Sequence, residues 1–222
     1  MLTAEVTIGA TLLGSVVGIP IGTALGLSRL RGRGLVRAVV YSLYALPPVV
    51  AGLVLYLILR REGALGALGL LFTPWAILLG ETMLTIPLIA GLTIAAIAEL
   101  PSELVEAIDA AGPTPRQRFL TLISQARFGI LSGVLVGYGR SLAEVAAALI
   151  LGGNIRGETR TIGTAILQEV NRGDFDFALV LAGILIAQAL ATAFLLYRLQ
   201  RAERVAAGRA LAQRPASDQV GG

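Results

Sequence analysis

Glu103, Glu106 and Asp109 recur every third residue in a short charged stretch lying between two long apolar ones. That spacing sets three carboxylates along one side of a helix. Arg140 and Glu144 stand four residues apart inside another apolar run, where a single helix would bring them together as an ion pair. Asn154, Arg156, Thr159 and Arg160 follow in a polar segment whose amide, guanidinium and hydroxyl donors suit an oxyanion. The chain has no histidine, no cysteine and no lysine, so all 18 basic residues are arginine. Disulfides, thiolate or imidazole metal sites, Ser-His and Cys-His catalysis and a lysine Schiff base are therefore excluded. Ionic docking and anion attraction stay open to these residues.

The elements that must position these residues are set by hydrophobicity. Of 222 residues, 55% are hydrophobic and only 14% charged, with mean hydropathy +0.79. Soluble domains carry nearer a quarter charged residues, so the composition indicates an integral membrane protein. Its 27 glycines suit helices packed closely in lipid. Five windows reach the length of about 20 residues that a spanning helix needs: 6–27, 38–59, 74–95, 130–151 and 177–197. Pro47 and Pro48 interrupt the second and Pro87 the third, where kinks are expected, either as packing geometry or as a moving gate. The net charge of +4 does not point to nucleic acid, because the arginines flank apolar segments instead of forming one patch. Arg29, Arg31, Arg33, Arg37, Arg116, Arg118, Arg127, Arg198, Arg201, Arg204, Arg209 and Arg214 fall on one side of alternating spans. Only Arg60, Arg61, Arg156, Arg160 and Arg172 fall on the other. This bias predicts an N-terminus outside and a C-terminus in the cytoplasm. The first window carries its positive flank after it, so it is read as a span and not a cleavable signal. Residues 201–222 lose hydrophobicity and are expected to form a cytoplasmic tail without fixed structure.

The charged stretch, within a cytoplasmic loop near 96–129, spells two short helices. Ser102 after Pro101 offers an N-cap and Glu103 suits the first turn. Gly112 fits the C′ position with positive φ, and Pro113 stops the helix. Thr114 and Pro115 then supply a fresh N-cap and first turn. Leu104, Ile108 and Ala111 make an apolar stripe on the first helix, and Phe119, Leu122 and Ile123 share a face of the second. Arg116 and Arg118 near a helix N-terminus oppose its dipole, which calls for an anionic neighbour such as the acidic stripe. Such a pair of helices suits either a solvated loop lying on the membrane or a partner's groove.

Glu106-Ala107-Ile108-Asp109-Ala110-Ala111-Gly112, with Pro115 and Phe119 beyond, resembles the EAA loop of binding-protein-dependent ABC importer permeases. Ile108 stands where that pattern has a second alanine and Gln125 where it has a late proline. Ala45-Leu46-Pro47-Pro48-Val49-Val50-Ala51-Gly52 is similar to a second-span motif of the molybdate, tungstate and sulfate permeases. Gly139-Arg140-Ser141-Leu142-Ala143-Glu144-Val145 continues the likeness, as does the stretch from Gly152 to Thr161 with Thr164-Ala165-Ile166 after it. The run from Leu65 to Pro74 and the Gly152-Gly153-Asn154-Ile155-Arg156-Gly157 form look closest to the tungstate branch.

The resemblance implies an all-α membrane protein of about five transmembrane helices in a type I importer, MetI-like arrangement, with a permease domain over 1–200. Glu103, Glu106, Ala107, Asp109, Gly112, Pro115 and Phe119 would then form a coupling helix and loop resting on a cytoplasmic ATPase dimer, which would carry ATP and Mg. A P-loop needs lysine, so this chain supplies none of that chemistry itself. The other implied partners are an extracytoplasmic solute-binding protein and a second copy of the chain, all in a prokaryotic cell membrane. Pro47, Pro48, Pro87, Arg140, Glu144, Asn154, Arg156, Thr159 and Arg160 are the candidates for a translocation path or gate. Arg140–Glu144 reads either as a structural ion pair or as an attractor for the anion. The polar segment reads either as donors to the anion or as a loop that receives the binding protein. A stand-alone ion-coupled transporter or channel is the competing function, with Glu81 and Glu144 as its only intramembrane carboxylates.

Overall fold

The computed structural model describes residues 2–27 and 33–212, and the described residues form α-helices joined by turns and two longer connections, 60–73 with a 3-10 turn at Gly66–Leu68 and 153–161. Arg29, Arg31 and Arg214 of the charge bias lie outside them. Helix α1 (Leu2–Leu27) is followed by α2 (Arg33–Tyr44) and α3 (Pro48–Leu59), which meet at 92°. The expected kink at Pro47-Pro48 is thus a full break. Neither proline has an N–H to donate, and Pro47 sits in extended backbone (φ −61, ψ 128) before another proline, a site that disfavours helix. Pro48 opens α3 as its first residue, where its lost donor costs nothing. Pro87, by contrast, lies within an unbroken α4 (Pro74–Ala98).

Helix α4 is the centre of the molecule. A continuous buried stripe runs along it through Ile77, Glu81, Thr85, Ile89 and Thr93, and glycine lets its neighbours come close. Gly14, Gly18, Gly22 and Gly26 recur every fourth residue on α1. A Cβ on Gly18 would stand 2.9 Å from the Ile86 carbonyl oxygen, and one on Gly22 only 2.5 Å from that of Ala90. Helix α7 (Arg127–Leu142) approaches with Gly129, Gly133 and Gly137, aimed at Ala96, Leu92 and Ile89. Ile89 is therefore gripped between Gly18 of α1 and Gly137 of α7. Close backbone approach through small residues is how helices gain van der Waals contact in lipid, where no hydrophobic force distinguishes partner from solvent.

Two short helices, α5 (Ser102–Ala110) and α6 (Pro115–Gln125), link α4 to α7, and α6 meets α7 at 70°. The window at 130–151 is not one helix. Helix α7 ends at Leu142, the chain turns through 143–145, and α8 (Ala146–Gly152) starts anew. Glu144, one residue before the Val145 N-cap, accepts a hydrogen bond from the Ala147 N–H at 3.0 Å and so satisfies an amide at the start of α8 that a continuous helix would pair with a backbone carbonyl. Helix α9 (Ile162–Arg172) occupies what the sequence presents as a loop, started by a Thr161–Thr164 capping box and ended by Gly173 at φ 79. Helix α10 (Phe175–Ala212) runs past the boundary expected at 201, and residues 213–222 lie outside the description.

Among the described residues, α1, α4 and the Phe175–Leu195 part of α10 are long and apolar enough to cross a bilayer, and the total rises to as many as five where each bent pair, α2–α3 and α6–α7, counts as one span. Only 6% of the α10 window is buried, leaving Leu179, Ile186 and Leu190 exposed as a lipid-facing surface would be.

Candidate functional site

The insert formed by α5 and α6 follows its sequence punctuation closely. Gly112 has φ +64 and nothing within 4 Å of where its Cβ would lie, so the backbone angle, not space, requires glycine there. Thr114 caps α6 and accepts from the Gln117 N–H at 3.3 Å, while the Gln117 side chain accepts from the Thr114 N–H at 2.9 Å. Pro115 takes the first helical position. Ser102 departs from expectation: it is itself helical, Pro101 precedes the helix, and no side chain caps it.

Burial divides the insert into two faces. Val105 and Ile108 of α5, with Ile123 of α6, pack on a cluster of Ala96, Ile97, Leu122, Ala126 and Ile130. Leu122 is fully buried and Phe119 half-buried. The apolar stripe therefore runs through Val105 and Ile108, while Leu104 is half-buried and Ala111, already in the turn, is exposed. Glu103, Glu106 and Ala107 are exposed, with Ala110 beside them. Asp109 leaves the acidic stripe to meet Arg118, whose Nε and Nη2 donate to the two carboxylate oxygens at 2.5 and 3.1 Å. Hydrogen bonding to Asp109 holds the Arg118 guanidinium above its ordinary range. The anionic neighbour that the arginine placement requires is thus on α5.

Around α7 and α8 the arrangement differs from the spacing argument. Because the helix ends at Leu142, Arg140 and Glu144 do not share a face and no ion pair joins them. Glu144 accepts from the Ala147 N–H at the start of α8, and Arg140 is exposed on the last turn of α7. A polar contact that does join α7 to α4 is between Glu81 and Ser141, both buried, with the serine hydroxyl donating to the carboxylate. Glu81 is visible in the sequence as a lone carboxylate in an apolar window. Its partner is not, because Ser141 lies 60 residues away.

The residues after α8 bind one another. Thr159 is fully buried, donates to the Gly152 carbonyl at 2.5 Å and accepts from the Ile155 N–H at 2.9 Å. Asn154, at φ 54, donates through Nδ2 to Gln168 of α9 at 2.9 Å, and its Oδ1 accepts from Arg160 Nε at 3.2 Å. Arg160 also donates to the Asn154 carbonyl at 3.4 Å. Three of these four candidate residues are thus engaged in closing this loop, and Arg156 alone of them is exposed. Gln168 and the Thr3 hydroxyl, which accepts from the Ile162 N–H at 2.8 Å, complete this end of the bundle. The Thr161–Thr164 spacing and Gly173 are the local signals that announce α9. Among the described residues, no group of acidic side chains is placed to hold a metal ion.

This architecture has relatives. The MetNI methionine ABC transporter, in an inward-facing conformation, contains a chain that superposes with TM-score 0.72 at 22% identity, covering 90% of this chain and 92% of that one. A probable anion ABC transporter permease of Haloferax volcanii is 37% identical over 190 residues, 83% of this chain and 82% of the relative. Tungstate uptake permeases TupB are 34% identical in Peptoclostridium acidaminophilum (86% and 84% covered) and 37% identical in Campylobacter jejuni (75% and 70% covered). The family described as "Binding-protein-dependent transport system inner membrane component" matches residues 18–205. A glycine-packed helical bundle carrying a two-helix insert thus has the MetI-type importer fold, and the chain belongs to the family of binding-protein-dependent inner-membrane transport components.

Proposed function

We propose that this chain is the membrane-spanning subunit of an ATP-driven oxyanion importer, for tungstate first and molybdate or sulfate next. The observation that carries the reading is its similarity, at 34% and 37% identity over most of the chain, to two tungstate uptake permeases. In this reading the N-terminus is outside and the C-terminus cytoplasmic, as the arginine bias indicates. Two copies enclose the pathway, and an external solute-binding protein delivers the anion. ATP and Mg reside on a cytoplasmic ATPase dimer, since a chain without lysine lacks a P-loop.

The exposed face of Glu103, Glu106 and Ala107 sits in a groove of that ATPase, and its buried face of Val105 and Ile108 passes the motor's displacement to α4, α6 and α7. The break at Pro47-Pro48 and the turn at 143–145 divide the bundle into segments that can rock as units for alternating access. Arg140 and Arg156, both exposed, attract the anion without caging it, which lets cargo leave.

The test is ATP hydrolysis by the full chain reconstituted with its ATPase and binding protein. Tungstate is expected to stimulate hydrolysis at lower concentration than molybdate or sulfate. Stimulation by none of them, or transport that proceeds without the ATPase, removes the reading.

A further inference from the structure

Asp109 and Arg118 are each badly placed for their own helix. Asp109 lies in the last turn of α5, where the helix dipole presents its negative end. Arg118 lies in the first turn of α6, at the positive end. Each charge opposes its own helix, yet together they form a two-pronged ion pair with nitrogen–oxygen distances of 2.5 and 3.1 Å. Side-chain exposures of 26% and 33% leave water to screen the pair, so it adds little to stability. Its value lies in geometry, because a guanidinium fork on a carboxylate fixes direction as well as distance.

The turn between the helices needs such a brace. Gly112 at φ +64 has no neighbour within 4 Å of its would-be Cβ, and an open pocket lined by Leu27, Asp109, Gly112, Pro113 and Arg118 lies beside it. Among the described residues, the apolar cluster that α5 and α6 share grips their other face, and side-chain packing does not fill this side of the turn. We infer that Asp109–Arg118 is a positioning clamp that sets the angle between α5 and α6, so that a push on α5 reaches α7 instead of being lost at Gly112. The coupling role rests on the proposed function; the clamp itself does not.

Charge reversal separates this role from local helix electrostatics. Asp109→Arg and Arg118→Asp each improve the fit of a charge to its own helix dipole, while each creates a like-charged pair across the turn. The clamp requires that either single reversal weaken coupling and that the double reversal restore it. Because the chain has no cysteine, Ser102→Cys and Ser124→Cys, both at exposed positions, can carry spin labels that report the distance across the turn in the full-length protein. Each single reversal should broaden that distance distribution and lower transport per ATP in the reconstituted complex by about fivefold or more. The double reversal should return both to within about twofold. Unchanged distances and coupling in the single reversals overturn the clamp, as does a double reversal that stays broadened. The distance measurement needs no ATPase, so it decides the clamp even if the complex proves uncoupled and the proposed function fails.

Discussion

Thr159 holds the loop between α8 and α9 closed with one hydroxyl, donating to Gly152 and accepting from Ile155 while fully buried. Thr159→Val keeps the shape but strands a carbonyl and an N–H, at a cost of about 1–3 kcal/mol. A lower unfolding temperature of the detergent-solubilised protein checks this; an unchanged one would leave the loop held by something else. The residue scale also shows why side-chain roles were only partly legible. Gly112 and the Thr114–Pro115 helix start obey rules that operate within four residues, and both stand as the sequence spells them. Thr159 has the same residue type as a donor to an anion, and only burial distinguishes that role from a structural one. Glu81 and Ser141 are joined across 60 residues, a pairing that no local pattern encodes.

At the scale of elements, periodic glycine is the device that builds the bundle. Gly22→Ala should be destabilising by roughly 1–3 kcal/mol, since its methyl would stand 2.5 Å from the Ala90 carbonyl oxygen and 2.6 Å from Thr93 Cβ. Gly183→Ala on α10, with nothing within 4 Å of the new methyl, should be neutral or slightly stabilising. Thermal unfolding of the two variants side by side tests the contrast, and equal behaviour would refute the close α1–α4 packing. Apolar windows located α1, α4 and the lipid-exposed part of α10 well, because length and hydropathy suffice for a straight helix. They did not divide α7 from α8. Hydropathy is blind to a carboxylate that competes for a backbone N–H, as Glu144 does at Ala147.

For the whole molecule, the proposed sidedness puts the α5–α6 insert in the cytoplasm and the loop before α9 outside. Single cysteines replacing the exposed Glu103 and Glu158 in this cysteine-free chain make that measurable in intact cells. A membrane-impermeant thiol reagent should label position 158 directly and position 103 only after permeabilisation; the reverse pattern overturns the topology and the ATPase contact with it. The sequence by itself determined that the chain is helical and membrane-embedded, that it carries a two-helix insert turned at Gly112, and that it resembles importer permeases. Each of these depends on composition, on hydrophobic length, or on capping and turn rules that act over a few residues. Only the tertiary structure decided which charges meet. It joined Asp109 to Arg118 and Glu81 to Ser141, separated Arg140 from Glu144, and bound Asn154, Thr159 and Arg160 into a loop closure. Pairing of polar groups depends on which backbones come within hydrogen-bonding distance, and for Glu81 and Ser141 that is set by the glycine face of α7 closing on α4.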